Sequence, residues 1–356
     1  MNDKYIYSIG LMSGTSLDGL DIVYVKFHKK DYSDFEIIHS NTIKYSEFWE
    51  ARLKNSIHLD TELLSVLDYD YGQYLGNKTQ EFISKNKITS LDFIASHGHT
   101  VLHQPDKGIT FQVGDGQQIY NITKCTTVSD FRTQDVQLGG QGAPLVPIGD
   151  RILFSEYEAC LNLGGFANIS YECVDNRIAF DVCPVNIVMN YYCKKIGLDY
   201  DDKGDIASKG TVHEGLLEDL NSLDYYLKKP PKSLGLEWVC QFVYPLLDDY
   251  NLDVEDVLRT FIEHIAQQIS IIIHPFNNVL FTGGGVYNNF LLKRIQIHSN
   301  TQIILPLDDI INYKEALIFS LLGVLKIHDK INCLSSVTGA KINHSSGKIF
   351  NQNISD

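Results

Sequence analysis

Apolar residues follow two rhythms along this chain. Residues 5–11 and 21–27 are short runs rich in β-branched and aromatic side chains, which predicts two strands joined as a hairpin. Residues 35–39, with Thr42 and Ile43, predict a third strand. Across 46–55 and 61–85 the spacing changes to three and four, and Leu63, Leu64, Leu67, Tyr71, Tyr74, Leu75 and Phe82 mark one helical face. A short strand at 93–97 runs into Gly98-His99-Thr100. A strand at 110–113, a short helix to about 123 and a strand at 126–131 complete a first half. The stretch 132–144 is dense in Gly and Gln and ends in Pro, which predicts a loop and a natural hinge or domain boundary. The same order then recurs. Residues 159–171 read as strand, glycine turn, strand, followed by a strand at 178–181 and a helix at 184–195, with Pro184 in its first turn. Helices continue through Val254–Ile273. A strand at 279–282 leads into Gly283-Gly284-Gly285, a helix starts near 288, and a strand at 303–305 precedes a last helix at 314–326. The expectation is an α/β protein of two halves, 1–135 and 136–356.

Composition narrows the function classes. A length of 356 residues suits about two domains, each able to bury a core. With 44 acidic against 30 basic residues, the net charge of −14 argues against a nucleic-acid or anionic-membrane surface. Seven scattered cysteines without a C-x-x-C pair suit reduced thiols in a cytoplasmic protein better than a disulfide framework or zinc knuckle. The sequence opens on a strand rather than a signal peptide, and no apolar run reaches about 18 residues.

The candidate chemistry begins in the first hairpin, at Met12-Ser13-Gly14-Thr15-Ser16-Leu17-Asp18-Gly19-Leu20-Asp21. Two glycines let backbone approach a ligand, the hydroxyls offer donors to phosphate oxygens, and Asp18 suits a hydrated Mg²⁺. It is not a P-loop, because no Lys follows the second Gly and a strand replaces the helix. His97, His99 and His103 invite a metal reading, since H-x-H on a strand puts both imidazoles on one face; hydrogen bonding to ligand hydroxyls is the alternative. Arg132 carries a fork that fits a carboxylate, or it pairs with Asp130 or Asp135 nearby. Glu315, at the expected start of the last helix, could face a cleft, but a residue placed for the helix dipole is the stronger reading.

Several blocks resemble the anhydro-N-acetylmuramic acid kinase family of the sugar kinase/Hsp70/actin superfamily. They are Gly10 to Gly19, His97-Gly98-His99-Thr100, Asp130-Phe131-Arg132, Gly139-Gly140-Gln141-Gly142-Ala143-Pro144-Leu145-Val146-Pro147, Asn162-Leu163-Gly164-Gly165-Phe166-Ala167-Asn168, Asp181 with Pro184 and Asn186, and Gly283-Gly284-Gly285 with Asn288. Two blocks depart from the family pattern. Asp181-Val182-Cys183-Pro184-Val185-Asn186 stands where the family has Asp-Thr-Gly-Pro-Gly-Asn, and His99 stands where it has Gln.

The resemblance implies two RNase H-like (actin/sugar-kinase-like) domains around a central nucleotide cleft. It also implies an ATP-dependent enzyme of peptidoglycan recycling that hydrolyses a 1,6-anhydro bridge while phosphorylating O6. ATP and Mg²⁺ are then the cofactors and a small amino sugar the substrate, with a homodimer left open. The nucleotide falls to Gly14, Thr15, Ser16, Leu17, Asp18, Gly19, Leu20 and Asp21 in the first half and to Gly164, Gly165, Gly283, Gly284 and Asn288 in the second. Asp18 would stand near Mg²⁺, through water. His97, His99, Arg132 and Asn186 would meet the sugar. Asp181 would be the general base, against a plain alternative as helix N-cap. Two other classes compete: a metal-dependent hydrolase built on H-x-H, and a non-catalytic actin-like nucleotide-binding module.

Overall fold

A computed structural model describes residues 4–14 and 17–352, and Thr15 and Ser16 of the first hairpin lie outside the described residues. By its internal contacts the chain divides into two compact units, Met1–Leu153 with Tyr313–Asp356, and Phe154–Asn312. The expected division at 135/136 differs in two places. Residues 136–153 stay with the first unit, and so does the C-terminal segment, which the sequence reading assigned to the second half.

The first unit is built on β1 (Tyr5–Ser13), β2 (Leu20–His28), β3 (Asp31–Ile43), β4 (Phe93–Gln104), β5 (Ile109–Val113) and β6 (Thr127–Ser129). β1, β2 and β3 form an antiparallel meander, β4 lies parallel to β1, and β6 lies parallel to β4. β1 is buried on both faces, as a central strand of a covered sheet should be. Its odd residues Ile9 and Leu11 pack with Leu64, Leu67, Tyr71 and Leu75 of the helix Thr61–Lys85. On the other face Ser8 bonds Ser320 of the helix Asp308–Ile327 at 2.6 Å, and a Cβ on Gly10 would run into the Ala316 carbonyl. The helix Thr61–Lys85 has the bounds its periodicity gives, with Asp60 accepting from the Leu63 amide as N-cap.

The second unit contains β7 (Ala159–Leu163), β8 (Phe166–Cys173), β9 (Asn176–Pro184), β10 (Asn278–Thr282) and β11 (Gln302–Ile304). Its sheet order is β11-β10-β7-β8-β9, with β8 antiparallel to both neighbours and β10 parallel to β7 and β11. The first sheet contains the same run as β6-β4-β1-β2-β3. It adds β5 beside β4 and, from the C-terminal segment, β12 (Lys348–Phe350) antiparallel to β6. Each unit therefore carries the RNase H-like order, two parallel strands beside a meander. The core of the second unit is the helix Val254–Ile273, whose Phe261, Ile265 and Ile269 pack with Leu161, Leu163 and Phe281.

Three local expectations change. The strand predicted to end at His97 continues to Gln104, because Gly98 takes φ +72 and lets the chain pass Val113 within the sheet. Pro184 closes β9 instead of opening a helix, and the helix begins at Asn186. The segment 132–144 is no hinge at a boundary. It holds a short helix, Thr133–Gln137, and is pinned inside the first unit by Gly140 N to Asp135 O at 2.9 Å and Gln141 N to Thr338 O at 2.7 Å.

Candidate active site

In the first unit the hairpin between β1 and β2 presents Asp18 to solvent, while Gly19 and Leu20 are buried at its base. Leu17 sits at φ +61, and its amide donates to the Gly14 carbonyl at 3.3 Å. Adding a Cβ to Gly19 would bring it to 2.6 Å from the Ile43 carbonyl, so this glycine is needed for the approach of β2 to β3. Asp21 accepts from Thr42 Oγ1 at 2.6 Å. Burial raises its carboxyl to about 6, with the Thr42 bond opposing and the charges of Glu315 and Asp18 adding to the rise.

His97 and His99 both lie on β4, but they are satisfied by protein. His99 Nδ1 meets Ser13 Oγ at 2.9 Å, and Ser13 in turn accepts from Tyr45 OH, itself 2.6 Å from Tyr71 OH. Burial lowers His99 to about 4, so the ring is neutral at ordinary pH. His97 Nδ1 donates to the Gly98 carbonyl at 3.0 Å, and its Nε2 accepts from Arg132 Nε and Nη2 at 3.0 and 2.8 Å. Burial and the neighbouring guanidinium push His97 well below its usual value. A cation donating to Nε2 occupies the lone pair a metal would need, so the H-x-H hydrolase reading is set aside.

Arg132 is no partner of Asp130 or Asp135 by hydrogen bond. Asp130 pairs with Lys348 at 2.8 Å, and Asp135 takes other donors. Arg132 Nη1 donates to the Gly142 carbonyl at 2.6 Å, which leaves two of its five N–H groups for a ligand. Burial lowers the guanidinium to about 10, with Glu315 opposing, so it stays charged. Glu315 departs from its expected role. The helix starts at Asp308, so Glu315 lies beyond the first turn, where a dipole effect has faded. Its carboxyl is raised by desolvation, while Lys314 and Arg132 pull it down. Nothing in the sequence pattern marks Tyr45, and Tyr71 reads there only as one residue of an apolar helical face.

In the second unit Gly164 and Gly165 form the two-residue turn between β7 and β8. Their carbonyls accept from the amides of Val185, Asn186 and Ile187, capping the helix Asn186–Lys195. Asn186 also lies beside the second glycine turn, with Nδ2 3.5 Å from where a Gly285 Cβ would stand. That turn divides its labour. Gly283 has φ +84, and a Cβ there would sit 2.6 Å from Asn162 Oδ1; a Cβ on Gly285 would sit 2.7 Å from Leu163 Cβ. Gly284 is exposed, and a Cβ there would meet nothing within 4 Å. Asn288 is buried and caps the helix Asn289–His298 through the Leu291 amide at 2.9 Å, so its side chain serves the fold.

Asp181 lies on β9 and does not cap a helix, since Val185 holds that position with no side-chain bond. Its Oδ2 accepts from the Leu234 amide at 2.8 Å, and its carbonyl accepts from Tyr225 OH at 2.6 Å. Oδ1 has no protein donor among the described residues. Burial raises the carboxyl, with the Leu234 amide pulling the other way. The segment 225–234 that holds Asp181 is a partner the sequence does not announce.

Two RNase H-like units, each bringing a glycine turn at the end of its first strand, define the architecture of the actin/sugar-kinase class. Within that class the chain belongs to the anhydro-N-acetylmuramic acid kinase family, whose profile matches residues 6–352. It is 33% identical to the anhydro-N-acetylmuramic acid kinase of Francisella tularensis subsp. novicida, covering 95% of this chain and 97% of that one. A Vibrio parahaemolyticus protein of the same name is 33% identical, covering 99% of both chains. A Bacillus thuringiensis protein, also so named, is 31% identical over 94% of this chain and 97% of its own length. Among solved structures, a Plasmodium falciparum glycerol kinase with ADP is 10% identical, with a TM-score of 0.42 over 90% of each chain. The chain is thus an enzyme, a kinase of this family. Among the described residues no helix is long and apolar enough to cross a membrane.

Proposed function

We propose that this kinase uses ATP to convert 1,6-anhydro-N-acetylmuramic acid into N-acetylmuramic acid 6-phosphate, a step of peptidoglycan recycling in the cytoplasm. Water adds to C1, the C1–O6 bond breaks, and O6 takes the γ-phosphoryl group, leaving ADP. Asp181 is the general base. Its raised pKa suits proton uptake, and Oδ1 is the oxygen left to receive the proton from water while Leu234 fixes Oδ2. The departing O6 is captured by phosphorus, so a second carboxylic acid is not required to protonate it.

Phosphoryl transfer asks mainly for positioning and charge neutralisation. The turn holding Gly14 and Asp18 in the first unit, and Gly165 and Gly284 in the second, offer backbone to the nucleotide. A hard divalent cation fits the first hairpin, because Asp18 and Glu315 each destabilise the charge on Asp21 and an oxygen-seeking cation relieves that repulsion. Asp18 would hold Mg²⁺ through water, with Asp21 near, and the ion would neutralise phosphate charge. Arg132, anchored on His97 and Gly142, directs its remaining donors to the lactyl carboxylate of the sugar.

The observation that carries this reading is the family match over 6–352 together with the half-buried, one-sidedly held Asp181. Its test is ADP release with 1,6-anhydro-N-acetylmuramic acid against other amino sugars. Release that depends on the anhydro sugar supports it, and ATP binding without such release returns the chain to the non-catalytic class.

A further inference from the structure

Close to the anchor of Arg132, the first unit gathers Asp135, Cys333 and His344 from distant parts of the chain. All three are buried, and one ligand atom from each lies within 4.8 Å of the others. Asp135 is fully buried. Its Oδ2 accepts from the Gly142 amide at 2.7 Å, while Oδ1 faces Cys333 Sγ at 3.0 Å, Thr338 Oγ1 at 2.7 Å and His344 Nε2 at 3.5 Å.

The orientation of His344 is the informative part. Its Nδ1 lies 3.1 Å from the Ile342 carbonyl, which can only accept, so Nδ1 carries the proton. In the neutral ring Nε2 is then a bare lone pair, buried, without a hydrogen-bond partner, and aimed at a carboxylate. His97 has the same arrangement, Nδ1–H on a backbone carbonyl, but there the Arg132 guanidinium meets Nε2. At His344 the place of that cation has no protein donor among the described residues. A backbone carbonyl on Nδ1 is also how metal-ligating imidazoles are commonly held.

We propose that Asp135 Oδ1, Cys333 Sγ and His344 Nε2 bind a borderline divalent transition-metal ion, Zn²⁺ by preference. Mixed S, N and O donors are the chemistry such an ion selects over Mg²⁺. Tetrahedral Zn²⁺ with ordinary bond lengths sets its ligand atoms about 3.2–3.8 Å apart, and the separations of 3.0 and 3.5 Å reach that with small adjustment. Binding requires the Cys333 thiol to lose its proton to solvent, while His344 offers the Nε2 lone pair and Asp135 offers Oδ1. The ion fastens the segment 332–346 to the helix Thr133–Gln137, which begins next to Arg132. The site is structural: it braces the helix and the Gly142 backbone that hold Arg132.

The experiment uses the full chain, stripped with a chelator under thiol reductant and titrated with Zn²⁺ or Co²⁺. About one Zn²⁺ per chain is expected, with one proton released and a raised Tm that Mg²⁺ does not reproduce. Co²⁺ should give a thiolate charge-transfer band and the strong visible absorption of a tetrahedral site. Cys333→Ser should abolish the thiolate band, and His344→Gln should weaken Zn²⁺ binding about tenfold or more. If either variant fails to fold by circular dichroism, the wild-type Co²⁺ spectrum decides alone. A folded wild-type chain that takes up no Zn²⁺ beyond the Cys333→Ser background, or shows no sulfur band with Co²⁺, overturns the proposal. The cluster is then a hydrogen-bonded one, and kinase activity is untouched by that result.

Discussion

The two hairpins that open the two sheets share a topology and differ in their bends. Between β1 and β2 the chain takes six residues, 14–19, and carries Asp18 outward, with Asp21 just inside β2. Between β7 and β8 it takes only Gly164 and Gly165, whose carbonyls are spent on the helix that follows. The first bend offers side-chain charge. The second offers bare backbone and positions Asn186. One sheet order therefore supports two different tools, and the side chains rather than the topology decide which tool each bend is.

The sharpest way to break this division is to remove the proposed base, Asp181, on the second sheet. Asp181→Asn should lower kcat about 10²–10⁴-fold while leaving the ATP dissociation constant unchanged, measured by coupled ADP release and calorimetry. Wild-type turnover in that variant ends the assignment. Next in size is Arg132→Ala, expected to raise the KM for the anhydro sugar about 10–100-fold with little change for ATP. Because Arg132 also anchors His97, Arg132→Lys should restore part of the fold stability without restoring the sugar KM. An unchanged sugar KM in the Ala variant removes Arg132 from the substrate.

The glycines sharpen the comparison further. Gly284→Ala and Gly165→Ala place a methyl where the fold leaves room, the nearest atom to the latter being Ile187 Cβ at 3.8 Å. Both should keep the wild-type Tm and raise the KM for ATP several-fold, whereas Gly283→Ala should lower Tm, since it combines φ +84 with a 2.6 Å clash. Equal ATP kinetics in Gly284→Ala would show that the turn does not touch nucleotide. The smallest effect is in pH. Asp21, raised to about 6, is charged above that value and neutral below it. The KM for ATP should therefore rise as pH falls through about 6, and Asp21→Asn should flatten that dependence. A limb that persists in Asp21→Asn belongs to another group.

Much of the architecture is legible in the chain, and the reason is periodicity. The helices Thr61–Lys85 and Val254–Ile273 carry their apolar faces plainly, and the hairpins are marked by strand-length apolar runs around glycine. The candidate site is legible only as motifs. Asp181, Arg132 and the two glycine turns stand out in sequence, but their partners do not. Leu234 and Tyr225 hold Asp181 from 53 and 44 residues away, and nothing local marks them. His97 and His99 look like metal ligands when only their spacing is seen. Burial beside a guanidinium and a hydroxyl makes them neutral acceptors instead. The Asp135–Cys333 contact spans 198 residues, a separation no spacing rule scans. The helix Val146–Leu153 was hidden by its neighbouring Gly and Pro residues.

The second unit is one uninterrupted stretch, whereas the first waits for residues 313 onward to supply its covering helix and the edge strand β12. During synthesis, then, the portion made first is the portion finished last. The middle of the polypeptide has all its own contacts available as soon as residue 312 leaves the ribosome. The amino-terminal sheet meanwhile holds the face beneath Gly10 uncovered until the tail emerges. A released chain that ends at residue 312 should yield a protease-resistant fragment from its latter half and none from its beginning.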